Sequence, residues 1–593
     1  MKEEKLLWNL RDIISNDSKF LEMAKNIENE MQKLDFFFEK LSPSMDKSEF
    51  RKMIFFEEAL EEKMAMLGTY SFLIYAQNMK SQKAMKYKSI NENLSIKISD
   101  KSRPIGHWIK GFSVKGKERL DDKNAEKLFS SVPKMKYAFM RDRESAKHTL
   151  SQKEESIITR KDMNGISVVT ELYGKIVNDL RFEMNVRGKT KRLTLDEITS
   201  LFHNADREKR KEAYKSVFNV YGCNREKFFT IYSAIVKDWL IESQLRKYPS
   251  PISMRNFVND IDDNAVGALI ESCTKNRKIF WDFFRLKARA LGMKKLSRYD
   301  LHAPIKEKKK YIPFAEARKT VLSTFSEFSP SFRKKADILF RGHIDSHPRK
   351  DKMAGGSCSS VTPKITPYIL LNYTGKSTDV STLAHELGHA IHDAYASKNP
   401  ISIYHAPLPL CETASTFCEM IAFEKLLEEA SKEEKISLLS DKMKEFYATI
   451  SRQNYFIKFE LKAHENIPKG LTEDELSEIY IKNLKEEFGP AVQVPEEFRY
   501  EWSFIPHIFH TPFYCYSYNF GELLALSLYS GYKEEGKNFI PKIEAVLEAG
   551  GSENPRKLLL RSAGIDIDDS RFWDRGFDIV RNFNKELSDL ILH

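Results

Sequence analysis

His385-Glu386-Leu387-Gly388-His389 sets two imidazoles four residues apart, with a carboxylate beside the first. On a helix that spacing puts both rings on one face, one turn apart, where they can share a metal ion. Glu386 falls one step round, placed to hold an attacking water and take its proton. The five residues point to zinc-hydrolase chemistry.

The flanks supply the helix. Val380, Leu383, Leu387, Ile391 and Ala394 recur at helical spacing and form an apolar stripe. His385, His389 and His392 lie opposite it, on a face without Lys or Arg that suits a cleft. Ser377 or Thr378 is the expected cap, and Asp379 suits the positive end of the helix dipole.

A catalytic zinc takes three protein ligands and leaves one position open. His392 and Tyr395 stand where the metzincin continuation needs Gly and His. The alternative is a glutamate from a following helix. Beyond a loop carrying Pro400, Pro407 and Pro409 comes Cys411-Glu412-Thr413-Ala414-Ser415, opening an apolar-periodic helix that runs to about Leu427. Glu412, 23 residues past His389 and expected in the first turn, is the candidate third ligand. Glu419, seven residues on, is either an acceptor for a ligand histidine or a surface charge. His392 is expected to pack or support, not to ligate.

These residues carry a family resemblance. Thr382–His389, Glu412-Thr413-Ala414-Ser415-Thr416, and Pro367–Tyr373 ahead of the zinc helix resemble segments of the oligoendopeptidase F branch of thimet-oligopeptidase-like zinc peptidases. So do Ile505-Pro506-His507 with Pro512-Phe513-Tyr514, and upstream Leu195–Ile198 and Tyr248–Pro251. The likeness runs from about Leu195 to the end, and more weakly before it. One departure is the stretch Met353–Ser360, where the family has a Gly-Ala-Tyr-Ser-like run; its glycines still permit close backbone approach.

The resemblance implies a mainly α fold, two helical lobes around a deep substrate channel, with a small β-sheet beside the zinc-binding helix. It implies a zinc endopeptidase acting on short peptides, with zinc on His385, His389 and Glu412 and with Glu386 as general base. It also implies that His507 and Tyr514, then Tyr518, grip substrate and oxyanion. If the segment is partly helical these three share a face; His510 could join them across the break at Pro512, and Tyr516 replaces a tyrosine if the register slips. Cobalt or manganese could replace zinc in vitro. A carboxypeptidase on the same zinc site and an inactive helical peptide-binding protein are the alternatives.

The 593 residues exceed one compact core. Residues 1–190 are expected as an N-terminal helical lobe and 191–593 as the catalytic region, with the boundary near a hairpin around Gly188. Periodic stretches at Lys19–Leu41, Ser48–Lys80 and Met85–Ile98 read as helices, and Thr194/Glu197 and Thr472/Glu475 as capping boxes. Strand signal returns at Ile365–Tyr373, where an edge strand could pair with an extended peptide. The net charge of +11 is spread among acidic residues, and Lys306–Lys310 is short, so no nucleic-acid partner is expected. Six cysteines without a C-x-x-C pair, no signal peptide and no long apolar run point to a cytoplasmic protein off the membrane.

Overall fold

The computed structural model describes residues 5–186, 188–305 and 311–593. The basic run Lys306–Lys310 and the first four residues lie outside them, as does Arg187 of the expected hairpin. The fold is 73% helical with small sheets, which settles the class as mainly α. No described helix is long and apolar enough to cross a membrane.

Two compact units interleave along the chain. The first comprises Met1–Lys147, Lys310–Glu429 and Leu528–Asp566; the second comprises His148–Lys309, Ala430–Ser527 and Ile567–His593. The expected boundary near residue 190 falls inside the second unit. The reason is local: hairpin strand Phe182–Val186 contacts helix Arg207–Cys223 of the same unit.

In the first unit, periodic apolar residues bury Phe20, Phe50, Trp108 and Phe129 in one core. The stretch read as one helix from Lys19 is two, Asp17–Glu30 and Lys33–Glu39. Two long helices follow, Lys47–Gln77, capped by Asp46, and Gln82–Ile109, capped by Ser81. A three-stranded sheet lies later in this unit, with Tyr368–Leu370 in its centre. Ile344–Asp345 runs parallel on one side and Ser357–Ser359 antiparallel on the other. The strand expected to offer a free edge therefore has none, because both its ladders are paired. The outer strands are Ile344–Asp345 and Ser357–Ser359.

The second unit packs helices such as Arg225–Leu245, Arg452–Asn466 and Glu473–Phe488. Its hairpin pairs Phe182–Val186 with Lys189–Leu193, Gly188 taking φ 77° at the turn. Both expected capping boxes form, at Thr194/Glu197 and Thr472/Glu475.

Candidate metal centre

Helix Ser377–Ala396 carries the two histidines, and helix Leu408–Glu429 carries the two glutamates. Val380, Leu383, Leu387 and Ile391 are fully buried, so the apolar stripe is the packed face. The cap differs from expectation. The helix starts at Ser377, and Asp379 turns back to accept from the backbone N–H of Lys376 at 3.1 Å and of Thr374 at 2.6 Å. Asp379 thus supplies the back-reaching half of a capping box, with Lys376 and not Ser377 or Thr378 at the cap position. The second helix starts four residues ahead of Glu412, taking in Pro409, whose missing N–H costs nothing in a first turn. Glu412 therefore stands in the second turn, not the first.

Gly388 sets the spacing between the two helices. A Cβ built there would meet Ser415 Cα at 2.5 Å and Ala414 O at 2.6 Å, so only glycine permits this approach. At the far end Tyr395 Oη donates to Glu544 Oε1 at 2.6 Å and lies 2.8 Å from Ser331 Oγ, fixing the histidine helix to its neighbours.

The approach brings Glu412 Oε2 to 3.3 Å from His385 Nε2 and 3.4 Å from His389 Nε2. One donor atom from each of His385, His389 and Glu412 lies within 4.8 Å of the others, a group that could hold a metal ion. The donor chemistry fits zinc, which takes imidazole nitrogen and carboxylate oxygen. The electrostatics also fit a cation. Burial works against charge on His385, but its hydrogen bonds to Glu412 and Glu419 outweigh this and raise its pKa to about 10. Glu412 is pulled down to about 2: burial opposes the shift, and the His385 hydrogen bond leads the groups that overcome it. Glu419, whose role the sequence left open, faces His385 Nδ1 at 3.2 Å and leaves Nε2 to face Glu412. His392 is not in the ligand group; it is buried, and its Nε2 has no hydrogen-bond partner among the described residues.

Glu386 is 7% exposed, and burial first of all raises its carboxyl to about 7, a value suited to exchanging protons near neutral pH. A Cβ at Gly356 would stand 3.0 Å from Glu386 Oε1, so the backbone leading into strand Ser357–Ser359 runs directly beside this carboxylate. The residues around it line a cavity of about 390 Å³ within the first unit.

His507, Tyr514 and Tyr518 belong to the second unit and cluster there. Ring centroids are 6.3 Å apart for His507–Tyr514, 5.7 Å for His507–Tyr518 and 5.3 Å for the two tyrosines. Tyr518 Oη lies 3.3 Å from His507 Nε2. The segment is partly helical, and no continuous helix brings the three rings together. Helix Pro506–His510 ends, a turn intervenes, and a second helix starts at Tyr516. Phe513 takes φ 58° in that turn, a strained value for a non-glycine. Its N–H donates to Glu460 at 2.9 Å, and the Pro512 carbonyl accepts from Arg255 at 3.1 Å. Ahead of His507, Glu501 is gripped by Arg298 at 2.5 Å and by Arg452 at 3.0 Å. Tyr516 is removed from candidacy: it is fully buried and its hydroxyl accepts from Asn259 at 2.7 Å. His510 packs edge-on against Tyr173.

The sequence reading passed over Asp393, four residues after His389 on the same helix face, and Ser360, both of which line the cavity. The four-residue spacing from His389 was the available signal for Asp393.

The family model of peptidase family M3 matches residues 200–579. Among curated relatives, an oligoendopeptidase F homolog of Borreliella burgdorferi is 27% identical, covering 94% of each chain. An oligoendopeptidase F homolog of Lactococcus lactis is 25% identical over 99% of this chain and 98% of its own. Among solved structures, one from Chlamydophila abortus superposes with TM-score 0.86 at 23% identity, covering 98% of both chains. The oligoendopeptidase-F of Enterococcus faecium superposes with TM-score 0.71 at 22% identity, covering 97% of this chain and 99% of its own. At these identities the structural matches speak for the fold.

Proposed function

Because the chain belongs to peptidase family M3, we propose that it is a zinc-dependent endopeptidase hydrolysing short oligopeptides in the cytoplasm. The observation that carries this reading is the meeting of His385, His389 and Glu412 with the Glu386 carboxyl beside them. The names of the relatives support the substrate class, and six free cysteines support a reducing compartment.

His385 Nε2, His389 Nε2 and Glu412 would hold the metal. Zinc in such a setting supplies an acidified water and polarisation of the scissile carbonyl. Glu386 takes the proton of the attacking water and passes it to the leaving amine, as a buried carboxyl poised near neutrality can. Glu419 fixes the ring of His385 through Nδ1. His507, Tyr514 and Tyr518 are assigned, by resemblance, the grip on substrate and the donors to the tetrahedral oxyanion; imidazole N–H and phenol O–H are suitable donors. The outer strand Ser357–Ser359, beside Glu386, offers backbone groups for sequence-tolerant pairing with an extended peptide.

The test is hydrolysis of an internally quenched, end-blocked oligopeptide, with and without a chelator, and after adding zinc back. Internal cleavage that stops on chelation and returns with zinc is expected. Turnover indifferent to metal removal overturns the reading. Release of single residues only from free C-termini would replace it with a carboxypeptidase.

A further inference from the structure

The cavity that holds His385, His389 and Glu412 continues past them, within the first unit, to Ser360, Asp393 and His405. Asp393 follows His389 by four residues on the histidine helix, so its carboxyl stands in line with the two imidazoles, one turn deeper. It is 9% exposed. Ser360 Oγ donates to Asp393 Oδ2, and His405 Nδ1 lies 3.8 Å from Asp393 Oδ1, too far for a hydrogen bond. Among the described residues no lysine or arginine stands within ion-pair distance of this carboxylate. The neighbouring His392 is 7% exposed, lines the same cavity, and carries an Nε2 without a partner among the described residues. Buried carboxylates are ordinarily paired, and buried polar atoms ordinarily find partners. Here the Asp393 carboxyl lines the cavity with a serine hydroxyl as its one hydrogen-bond donor among the described residues. Burial holds the Asp393 carboxyl up at about 7, against the Ser360 hydrogen bond, which works to lower it.

We propose that Asp393, held by Ser360, forms a subsite that takes the cationic side chain of a lysine or arginine flanking the scissile bond. The inference rests on the peptidase reading above and names a substrate class for that site. An ammonium or guanidinium would give Asp393 its missing counter-charge and donate to the acceptors around it; a guanidinium can do so through two N–H groups at once. A leucine of similar bulk would leave the carboxylate unpaired, and an acidic residue would add repulsion.

The experiment uses the zinc-loaded full chain and quenched peptides acetylated at the N-terminus and amidated at the C-terminus, so that the varied side chain is the one cation present. Arginine, lysine, leucine and glutamate are placed in turn on each side of the cleaved bond, and kcat/KM is measured. The wild-type protein is expected to prefer arginine or lysine over leucine by about tenfold or more at one of the two positions, since a polar site left unpaired discriminates strongly. In Asp393→Asn, which keeps size and loses charge, the ratio should fall to near one. Cleavage of all peptides without a cationic preference overturns the inference and leaves the peptidase reading intact, as does a preference that survives Asp393→Asn. Cleavage of none, with zinc bound, overturns both. Should the variant fail to fold, the wild-type preference alone decides.

Discussion

Gly388 faces Ser415 across a helix contact so close that a single added carbon would stand 2.5 Å from the serine Cα. Gly388→Ala must therefore push the helices apart, and with them His385, His389 and Glu412. A loss of about 1–3 kcal/mol in stability is expected, as for other overpacked core sites. It should appear as a lowered urea midpoint together with weakened zinc binding. An unchanged zinc affinity in a folded variant would show that the helix spacing does not set the ligand geometry.

Glu386→Gln keeps the shape of the side chain and removes its capacity to take a proton. Turnover should fall by about 10²–10⁴-fold while zinc content stays at the wild-type level. Elemental analysis beside a kinetic assay separates these two readings. A fully active variant would move the general base elsewhere.

Glu419 meets His385 at the nitrogen away from Glu412. Glu419→Gln should cost about 10–100-fold in zinc affinity, the usual effect of removing a support from a metal ligand. Competition with a chromophoric chelator measures it. Affinity equal to wild type would reduce Glu419 to a charge that happens to lie near.

His507→Ala and Tyr514→Phe should lower kcat with zinc content unchanged, by about 10²–10³-fold where the lost group is an oxyanion donor. Tyr518→Phe separates the two tyrosines: the larger effect identifies the donor. If neither phenylalanine variant is slower, the tyrosines serve packing alone.

Glu460 gives a pH signature away from the metal. Burial, the first cause, raises its carboxyl from 4.5 to about 8. The folded state keeps a proton that the unfolded chain gives up. Its contribution to stability is therefore full below about 4.5 and is lost as pH rises through about 8. Glu460→Gln stays neutral at every pH and keeps an oxygen for the Phe513 N–H. Its urea midpoint relative to wild type should rise steadily from about pH 5 to about pH 9. A flat difference would mean that the carboxyl ionises without cost.

The His-Glu-x-x-His motif was readable because its logic is local. A four-residue step on a helix fixes two rings, and an apolar stripe fixes which face is turned inward. Glu412 was reachable as the glutamate opening the next apolar-periodic helix, though that helix begins a turn early because Pro409 needs no hydrogen bond there. The sheet was less accessible. Ile365–Tyr373 reads as a strand, but whether it is central or outermost depends on partners at Ile344 and Ser357, which no alternation within the segment reveals. The His507–Tyr518 cluster was legible only through the family resemblance, since no single helical spacing along the chain brings the three rings together. The turn at Phe513 brings the rings together instead, held by Glu460 and Arg255, residues distant in sequence. Asp393 escaped notice because an aspartate on a helix is ordinarily solvated, and only the folded cavity shows that it is enclosed.

The interleaving of the two units has a consequence for biosynthesis. The helices bearing His385 and Glu412 belong to a unit whose last segment, 528–566, is translated after 98 residues of the other unit. At ordinary elongation rates of about 5–20 residues per second, that interval is roughly 5–20 s. During it the histidine helix lacks Glu544, which receives the Tyr395 hydroxyl in the finished fold. A nascent chain on the ribosome therefore carries the ligand residues without their full support. The candidate metal centre therefore gains its full support only late in translation.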